Sequence, residues 1–320
     1  MRPTLKDVAK LANVNFTLVS KYINRNPQAR MTEETRLRIE AAIRELNYRP
    51  SASARALRSG RSRAVGLLSG DLTNAYRAHF ADLMLRELQA RGYQMLIALR
   101  GAGEEEALQS LLAREVDGVI VPETEESFRE TPPCPVVVSG RRSARFSEVN
   151  PDLTLALEEA LTQVSGKGIG LFFAHSLWEE EFVQAVRTLG IDAGCRRLSG
   201  DRETRRGEIR TACAARPDFI VTNGWETLNM LLEHLDDECP GYEPRLVVHA
   251  NCTGPFLRDR RLAGAIHSSS SELVCELCDL LVRRIEQPGG EPERKLIPAR
   301  YIPAGTPDYD ALISRHFRLT

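Results

Sequence analysis

The chain has 320 residues, of which 42% are hydrophobic and 27% charged, with 22 Gly and 17 Pro. This composition excludes collagen-like, coiled-coil and intrinsically disordered proteins, and the length suits about two domains. No apolar run approaches the roughly 18 residues of a membrane span, and the first residues lack the apolar stretch of a signal peptide. Seven cysteines at irregular spacings do not indicate a disulfide framework. We therefore expect a soluble, cytoplasmic protein without a membrane partner.

The formal net charge of -1 conceals an uneven distribution. Residues 1–63 hold 14 Lys and Arg against 5 Asp and Glu, whereas residues 64–320 hold 29 against 39. A basic segment joined to an acidic body is typical of a module that binds a polyanion. The charges alone are also consistent with a basic segment that is merely well solvated. The organisation of that segment decides between these interpretations.

The basic segment begins with the pattern of three short helices. Thr4, Asn15 and Thr32 are suitable N-caps, and Asp7 is placed to complete a capping box with the first of them. Asn13 can adopt the left-handed conformation that a tight turn requires. The apolar side chains expected on the buried faces are Leu5, Val8, Ala9, Leu11 and Ala12 in the first helix, Leu18, Val19, Tyr22 and Ile23 in the second, and Leu37, Ile39, Ala41, Ile43 and Leu46 in the third, which should end near Tyr48.

Two short helices joined by a tight turn and braced by a third form a helix-turn-helix. The second helix of this motif enters the major groove of DNA and presents its first residues to the base edges. Hydroxyl groups can bond either partner, an aromatic ring can pack on a thymine methyl, and an ammonium can reach guanine acceptors. The residues with these properties are Phe16, Thr17, Ser20 and Lys21.

Several strings in this segment resemble the opening of the lactose-repressor (LacI/GalR) family of transcription regulators. They are Thr4 to Ala9, Ala12 to Asn15, Val19 to Lys21 with Asn24, Thr35-Arg36, and Leu46-Asn47-Tyr48 with Pro50. Asn13 stands where the family usually has Gly, and Lys21 where it usually has Arg. The resemblance implies a transcription regulator whose DNA contacts come from Thr4, Asn15, Phe16, Thr17, Ser20, Lys21, Asn24 and Tyr48.

Residues 50–63 are small and basic and contain few core-forming side chains. An isolated helix of this length is marginal in water, so one interpretation is a flexible linker in the free protein. The string also resembles the family's hinge helix, in which a leucine wedges into a minor-groove step at the operator centre. The resemblance gives Leu57 that role, with Ala54 beside it and Arg58 as a further DNA contact. We expect Leu57→Ala to weaken operator binding much more than non-specific binding, because wedging requires a kinked duplex.

Residues 64–320 alternate short apolar runs with helical patterns, which indicates parallel sheets in α/β units. This segment is longer than a single sheet with its helices needs, so we expect two lobes. The resemblance implies a body like the two-lobed periplasmic sugar-binding proteins, with the ligand between the lobes. We expect strands at 64–68, 93–99, 118–121, 136–139, 168–174, 219–222 and 246–249, and helices at 76–91, 104–114, 152–164, 179–189, 228–235 and 272–285.

The predicted architecture therefore has three parts. They are an N-terminal all-α helix-turn-helix domain (1–49), a hinge helix or linker (50–63), and an α/β two-lobed periplasmic-binding-protein-like domain with parallel sheets for effector binding and dimerisation (64–320).

Ligands of open α/β sheets bind beyond the carboxyl ends of the strands. Each residue found there is equally well explained as a loop residue without a ligand. The candidates for an effector site are Asp71, Asn74, Tyr76 and Arg100 in the first lobe and His175, Trp178, Asn223, Trp225 and Asn251 in the second; Glu123, Arg141 and Ser176 are further candidates.

The second lobe departs from the pattern of sugar-binding family members at three charged positions. By resemblance, Trp178 stands where those members have Arg, and Gly224 and Asn251 stand where they have Asp. Dehydrated sugar hydroxyls favour charge-assisted partners, so an aromatic effector or a sugar held by stacking fits better. A cleft that binds nothing is an equally serious alternative, and the tryptophans would then only pack the lobes.

The sequence does not favour an enzyme. The glycines of 166–170 precede a predicted strand, whereas a dinucleotide-binding loop follows one, and no Walker loop or Gly-x-Ser-x-Gly elbow is present. Cys275 and Cys278 lie in a helical pattern without a second Cys or His pair, so buried packing is preferred to a zinc site. We expect no catalytic residues, no metal and no cofactor.

We expect a sequence-specific DNA-binding regulator, acting as a repressor, that binds a palindromic double-stranded operator as a homodimer. A small molecule, sugar-like or aromatic, would modulate it from the interlobe cleft. The family's tetramers use a C-terminal leucine heptad, which the last residues of this chain lack. Two alternatives stay open: a constitutive DNA-binding regulator with a relict cleft, and a small-molecule-binding α/β protein whose basic domain is incidental.

Overall fold

The computed structural model describes residues 3–24, 30–49, 60–73, 75–122, 128–140, 142–163, 169–173, 176–191, 193–198, 202–249 and 255–314. The chain divides into two compact units, Met1–Arg63 and Ala64–Thr320. Within the described ranges, no helix combines the length and the apolar character that crossing a bilayer requires.

The amino-terminal unit contains α1 (Leu5–Ala12), α2 (Phe16–Ile23) and α3 (Glu33–Glu45). These helices pack around a small core, which comprises Val8, Ala9, Ala12, Val19, Ile39 and Ala42.

The expected buried faces of α1 and α3 were partly wrong. Leu37 is 51% exposed, Leu11 is 44% exposed, and Ala41 is exposed while its neighbour Ala42 is buried. The expected stripe of α3 advanced by two residues, as in a strand, whereas a helix buries residues three or four positions apart. The same helical spacing explains Leu11, because the buried residues Val8, Ala9 and Ala12 define a face of α1 that does not include it.

Within the described residues, the carboxyl-terminal unit is an α/β structure whose eleven strands have the order β2-β1-β3-β4-β5-β11-β10-β9-β8-β6-β7. The strands are β1 (Ala64–Ser69), β2 (Gln94–Leu99), β3 (Gly118–Pro122), β4 (Val136–Ser139), β5 (Ser147–Asp152), β6 (Ile169–Phe173), β7 (Ala193–Arg197), β8 (Phe219–Asn223), β9 (Arg245–His249), β10 (Leu262–Ser268) and β11 (Arg294–Pro303). The helices are α4 (Ala75–Ala90), α5 (Glu104–Leu112), α6 (Thr154–Thr162), α7 (Ser176–Leu189), α8 (Arg202–Cys213), α9 (Trp225–Glu238), α10 (Ser270–Glu286) and α11 (Pro307–Ser314).

Two lobes share the long strand β11. Its first half pairs in parallel with β5, and its second half pairs in antiparallel fashion with β10. Every other strand pair is parallel. The first lobe contains β1–β5 with α4, α5 and α10, and the second contains β6–β10 with α6–α9 and α11. This arrangement confirms the expected helical domain followed by a two-lobed α/β domain.

Both faces of each half-sheet are buried, as expected for parallel strands covered by helices. In the first lobe, Val137 faces the cluster formed by α4 and α10, while Val136 and Val138 face the cluster that contains α5. In the second lobe, Val247 faces α6 and α7, while Leu246 and Val248 face α9 and α11.

The sequence interpretation missed β5, β7, β10, β11, α8 and α11. In β5 the buried positions include Glu148 and Asn150, whose polar side chains conceal a strand pattern. They are satisfied locally, since Glu148 accepts from the Ser143 amide (2.5 Å) and Asn150 accepts from the Gly140 amide (2.7 Å). In α8 only Ile209 and Cys213 are buried, too few for a visible helical period.

Candidate nucleic-acid interface and effector site

The turn between α1 and α2 has the predicted conformation. The Thr4 hydroxyl accepts from the Asp7 amide, and the Asp7 carboxylate accepts from the Thr4 amide (2.8 Å) and hydroxyl (2.7 Å), which completes the capping box. These bonds hold the pKa of Asp7 below its usual value. Asn13 ends α1 in the left-handed conformation, with φ 51° and ψ 52°. The chain can therefore reverse sharply and start α2 with a fixed geometry.

The first turn of α2 presents an exposed face. Asn15 caps the helix by accepting from the Thr17 amide (2.7 Å). Phe16 is 52% exposed, a large value for an aromatic side chain, and Thr17 and Lys21 are also exposed. Ser20 instead lies at the buried side, with 9% of its surface exposed. The exposed three combine ring, hydroxyl and ammonium on one helix, which suits contact with base edges and phosphates.

Two polar contacts hold α2 in place. The Tyr22 hydroxyl donates to Glu40 Oε1 of α3 (2.7 Å), and this bond raises the pKa of Tyr22. Asn24 Nδ2 donates to the Ser20 carbonyl (2.6 Å) at the end of α2. Tyr48 is half-buried and packs against the core of the unit. The sequence did not indicate Glu40, because a glutamate one turn beyond Arg36 on the third helix gives no distinctive signal.

The proposed hinge contacts Ala54, Leu57 and Arg58 lie outside the described residues, so their roles stay predictions.

In the first lobe, two candidate effector residues are engaged at the carboxyl ends of their strands. Asp71 accepts from the Thr73 amide (3.0 Å) and pairs with Arg77 (2.5 Å). The Arg100 guanidinium donates to the Pro122 carbonyl (2.5 Å), which joins the carboxyl ends of β2 and β3. Tyr76 is half-buried and stacks against Phe80 with ring centroids 5.8 Å apart. Asn74 lies outside the described residues, as do Glu123 and Arg141.

In the second lobe, the end of β8 carries a buried polar group. Asn223 is 8% exposed, and within the described part of the chain its Nδ2 has no hydrogen-bond partner. His249 lies opposite it in the strand register and is 2% exposed. His249 was not among the expected site residues, although its position after the apolar run of β9 could have indicated it. A buried amide donor beside a buried imidazole is a suitable place for a polar ligand group, because an unmet donor is costly.

The remaining second-lobe candidates are only partly described. Trp178 lies in the first turn of α7, and Trp225 is the first residue of α9. Both helices follow strands, so their first turns lie at the edge of the sheet that contains Asn223. His175 and Asn251 lie outside the described residues.

The cysteines of α10 are explained by packing. Cys278 is buried, and burial raises its pKa to about 12. The guanidinium of Arg91 donates to Cys275 Sγ (3.5 Å) and to Asp279 (2.7 Å), which ties the end of α4 to α10. Among the described residues, no group of three His, Cys, Asp or Glu side chains is arranged to hold a metal.

Comparison with known proteins finds a family match at the amino-terminal end of the chain. Residues 4–51 match the family described as "Bacterial regulatory proteins, lacI family". The chain is 39% identical over 121 residues to the catabolite repressor/activator of Escherichia coli (strain K12), a match that covers 37% of this chain and 36% of that protein. The chain thus aligns with little more than a third of this relative's length.

Solved structures match over nearly the whole chain. The lac repressor dimer bound to operator and the anti-inducer ONPF has a TM-score of 0.77 at 16% identity, covering 94% of this chain and 98% of that one. The CelR–cellobiose complex of a transcriptional regulator has a TM-score of 0.64 at 20% identity, with the same coverage. At these identities the likeness establishes the fold. The amino-terminal segment thus matches the lacI family of bacterial regulatory proteins, and the whole chain shares the fold of solved structures of such regulators.

Proposed function

We propose that the protein is a sequence-specific DNA-binding transcription regulator that recognises a palindromic operator and acts as a repressor. The exposed face of α2 carries this proposal, because Phe16, Thr17 and Lys21 project from a helix fixed by caps and by a small core. The net charge of +9 over residues 1–63 supports it, since phosphate neutralisation supplies much of the affinity for DNA.

The proposed assembly is a homodimer formed through the carboxyl-terminal unit. Strand β2 is at the edge of the sheet, and its Ile97 and Leu99 are 43% and 49% exposed. They lie two residues apart and so project on the same face. Large exposed apolar side chains on an edge strand favour contact with another protein surface, and a two-fold partner would match the two halves of a palindrome.

The proposed effector is a small molecule, sugar-like or aromatic, bound at the carboxyl ends of the strands. Asn223 and His249 support a polar anchor in the second lobe, and Arg100 supports one in the first. The structure of the CelR regulator contains cellobiose, which supports a saccharide as one class of effector.

The alternative of a relict cleft predicts no stabilisation by any ligand, whereas an effector that binds only the folded state raises the melting temperature. Loss of the stabilisation in Asn223→Ala would locate the effector.

Selection of bound duplexes from a random-sequence DNA pool, at near-physiological salt, tests the DNA-binding proposal. We expect a palindrome with a fixed centre. Lys21→Ala should lose about 1–3 kcal/mol of discrimination at one base pair of each half-site. Lys10→Ala is the matched control, because Lys10 is exposed on α1 and its loss should weaken all DNA binding alike. A pool that stays random would overturn the proposal and favour the small-molecule-binding alternative.

A further inference from the structure

The first lobe contains a cavity that lies away from the effector site described above. It has a volume of about 300 Å³ and is walled by the segments that precede β4 and β5 and by the loop that follows α10. It therefore opens at the amino-terminal ends of the strands, the edge at which Ala64 begins β1. The effector candidates lie at the opposite, carboxyl-terminal edge. A ligand of this cavity would be distinct from an effector between the lobes.

Arg284 forms one wall of the cavity and is held rigidly. Its Nη1 donates to the Gly289 carbonyl (2.7 Å), and its Nη2 contacts the Glu291 carbonyl and the Glu293 carboxylate (3.1 Å). The side chain is 14% exposed, and its Nε is buried without a partner in the described part of the chain. A guanidinium fixed in the wall places a positive charge beside the cavity, which favours an anion there.

Arg145 supplies a second positive charge at the mouth of the cavity. Its guanidinium donates to the Phe128 carbonyl (3.1 Å) and the Thr131 hydroxyl (3.4 Å), and within the described ranges it has no carboxylate partner. The single carboxylate of Glu293 is shared between Arg283 (3.2 Å) and Arg284. Among the residues that line the cavity, the charged ones are Arg145 and Arg284, and both are positive, which favours an anion there.

Much of the rest of the lining is apolar. The Arg145 guanidinium lies 5.1 Å from the centre of the Phe146 ring, and Pro133 and Pro135 form part of the wall. Burial raises the pKa of the Cys134 thiol to about 11, so this group is neutral at physiological pH and does not repel an anion. A surface of this kind can bury a ring while the arginines meet its charge.

We propose that this cavity is a second ligand site, which binds a small aromatic carboxylate. The ring packs against Phe146 and the prolines, and the carboxylate accepts hydrogen bonds from the Arg145 guanidinium and lies close to the positive charge of Arg284. The site belongs wholly to the carboxyl-terminal unit, so ligand binding there does not depend on recognition of DNA.

Titration of the full-length protein with benzoate, followed by ligand-observed NMR, tests this site. We expect saturable binding of millimolar affinity, as suits a fragment of this size, and no comparable binding of benzamide, which has the same shape without the charge. Arg145→Met should weaken benzoate binding about tenfold, since a hydrogen bond to a charged group is lost. Arg142→Met is the matched control, because Arg142 is exposed nearby and does not line the cavity.

A third variant separates the cavity from the interlobe site. Asn223→Ala should leave benzoate binding unchanged, because Asn223 is at the carboxyl end of β8. Circular dichroism of each variant establishes that it is folded. The proposal is overturned by binding that is abolished in Asn223→Ala, by equal affinities for benzamide and benzoate, by equal affinities in Arg145→Met and Arg142→Met, or by no saturable binding up to about 10 mM benzoate.

Discussion

Among the residues that the structure describes, the amino-terminal unit encloses one small apolar cluster, whose buried members are alanines, valines and an isoleucine. The carboxyl-terminal unit encloses four larger ones on both faces of its sheet. Small domains bury a smaller fraction of their surface and are correspondingly marginal. Local devices such as the Thr4–Asp7 capping box and the Tyr22–Glu40 hydrogen bond therefore matter more in the amino-terminal unit. Single substitutions should therefore unfold the amino-terminal unit while leaving the carboxyl-terminal unit intact.

The largest expected effect is that of Ile39→Ala. Ile39 is fully buried at the centre of the amino-terminal core, and truncation of such a side chain costs about 2–5 kcal/mol. We expect the helical signal of this unit in circular dichroism to melt first and DNA binding to be lost. Both tryptophans of the chain, Trp178 and Trp225, belong to the other unit, so tryptophan fluorescence should still report its normal melting temperature.

Leu37→Ala is the control for this prediction, because it removes a leucine from the exposed side of the same helix. Its effect on stability should stay within about 0.5 kcal/mol. A decrease of the tryptophan-reported melting temperature in Ile39→Ala would contradict the independence of the two units.

A substitution at Gly264 should have the next largest effect, confined to the body. A Cβ at this position would lie 2.6 Å from the Ile302 carbonyl oxygen and 2.6 Å from the Tyr301 ring, where β10 meets β11. Because a backbone oxygen cannot move aside cheaply, Gly264→Ala should cost about 1–3 kcal/mol and lower the fluorescence-reported melting temperature.

Gly207→Ala is the matched control, since a Cβ at this position in α8 meets nothing within 4 Å. Alanine is the better helix former there, so stability should rise by about 0.5–1 kcal/mol. Equal effects of the two substitutions would show that the joint between β10 and β11 is less tightly packed than its geometry indicates.

The same contrast explains what could be predicted from the sequence. In the amino-terminal unit, Thr4, Asn13 and Asn15 act through neighbours a few residues away, so their caps and turn followed from local patterns. The buried polar residues of β5 conceal its strand pattern, and the long strand β11 pairs with the distant segments β5 and β10, which no local pattern reveals. For the same reason Asn223 could be predicted at a strand end, whereas the cavity around Arg284 required the tertiary structure.

A smaller effect is expected for Tyr22→Phe, which removes the hydrogen bond between α2 and α3 and keeps the ring. Loss of this bond should destabilise the amino-terminal unit by about 1 kcal/mol. Because the bond fixes the orientation of the recognition helix, specific DNA affinity should fall several-fold, while non-specific affinity stays constant. Thermal unfolding followed by circular dichroism, and titrations of selected and random duplexes, measure the two effects. An equal loss on both duplexes would indicate a general loosening of the unit instead.

The smallest effect concerns an exposed carboxylate of the body. Arg210 donates to both oxygens of Glu238 (2.7 and 2.9 Å), and these bonds lower the pKa of Glu238 from 4.5 to about 2. Because the unfolded chain takes up this proton at a higher pH than the folded one, the contribution of Glu238 is complete above about pH 4.5 and is lost as the pH falls towards 2.

Glu238→Gln should therefore flatten the decline of the fluorescence-reported melting temperature between pH 5 and pH 2. The group is exposed, so about 1 M salt should reduce the difference between variant and parent, since screening then acts within about 3 Å. Asp7→Asn is the counterpart in the amino-terminal unit, where the lowered pKa comes from capping bonds to Thr4 and not from an ion pair. Its acid response, followed by circular dichroism, should persist in high salt. If salt removed both responses equally, the distinction between a locally capped unit and an ion-paired body would fail.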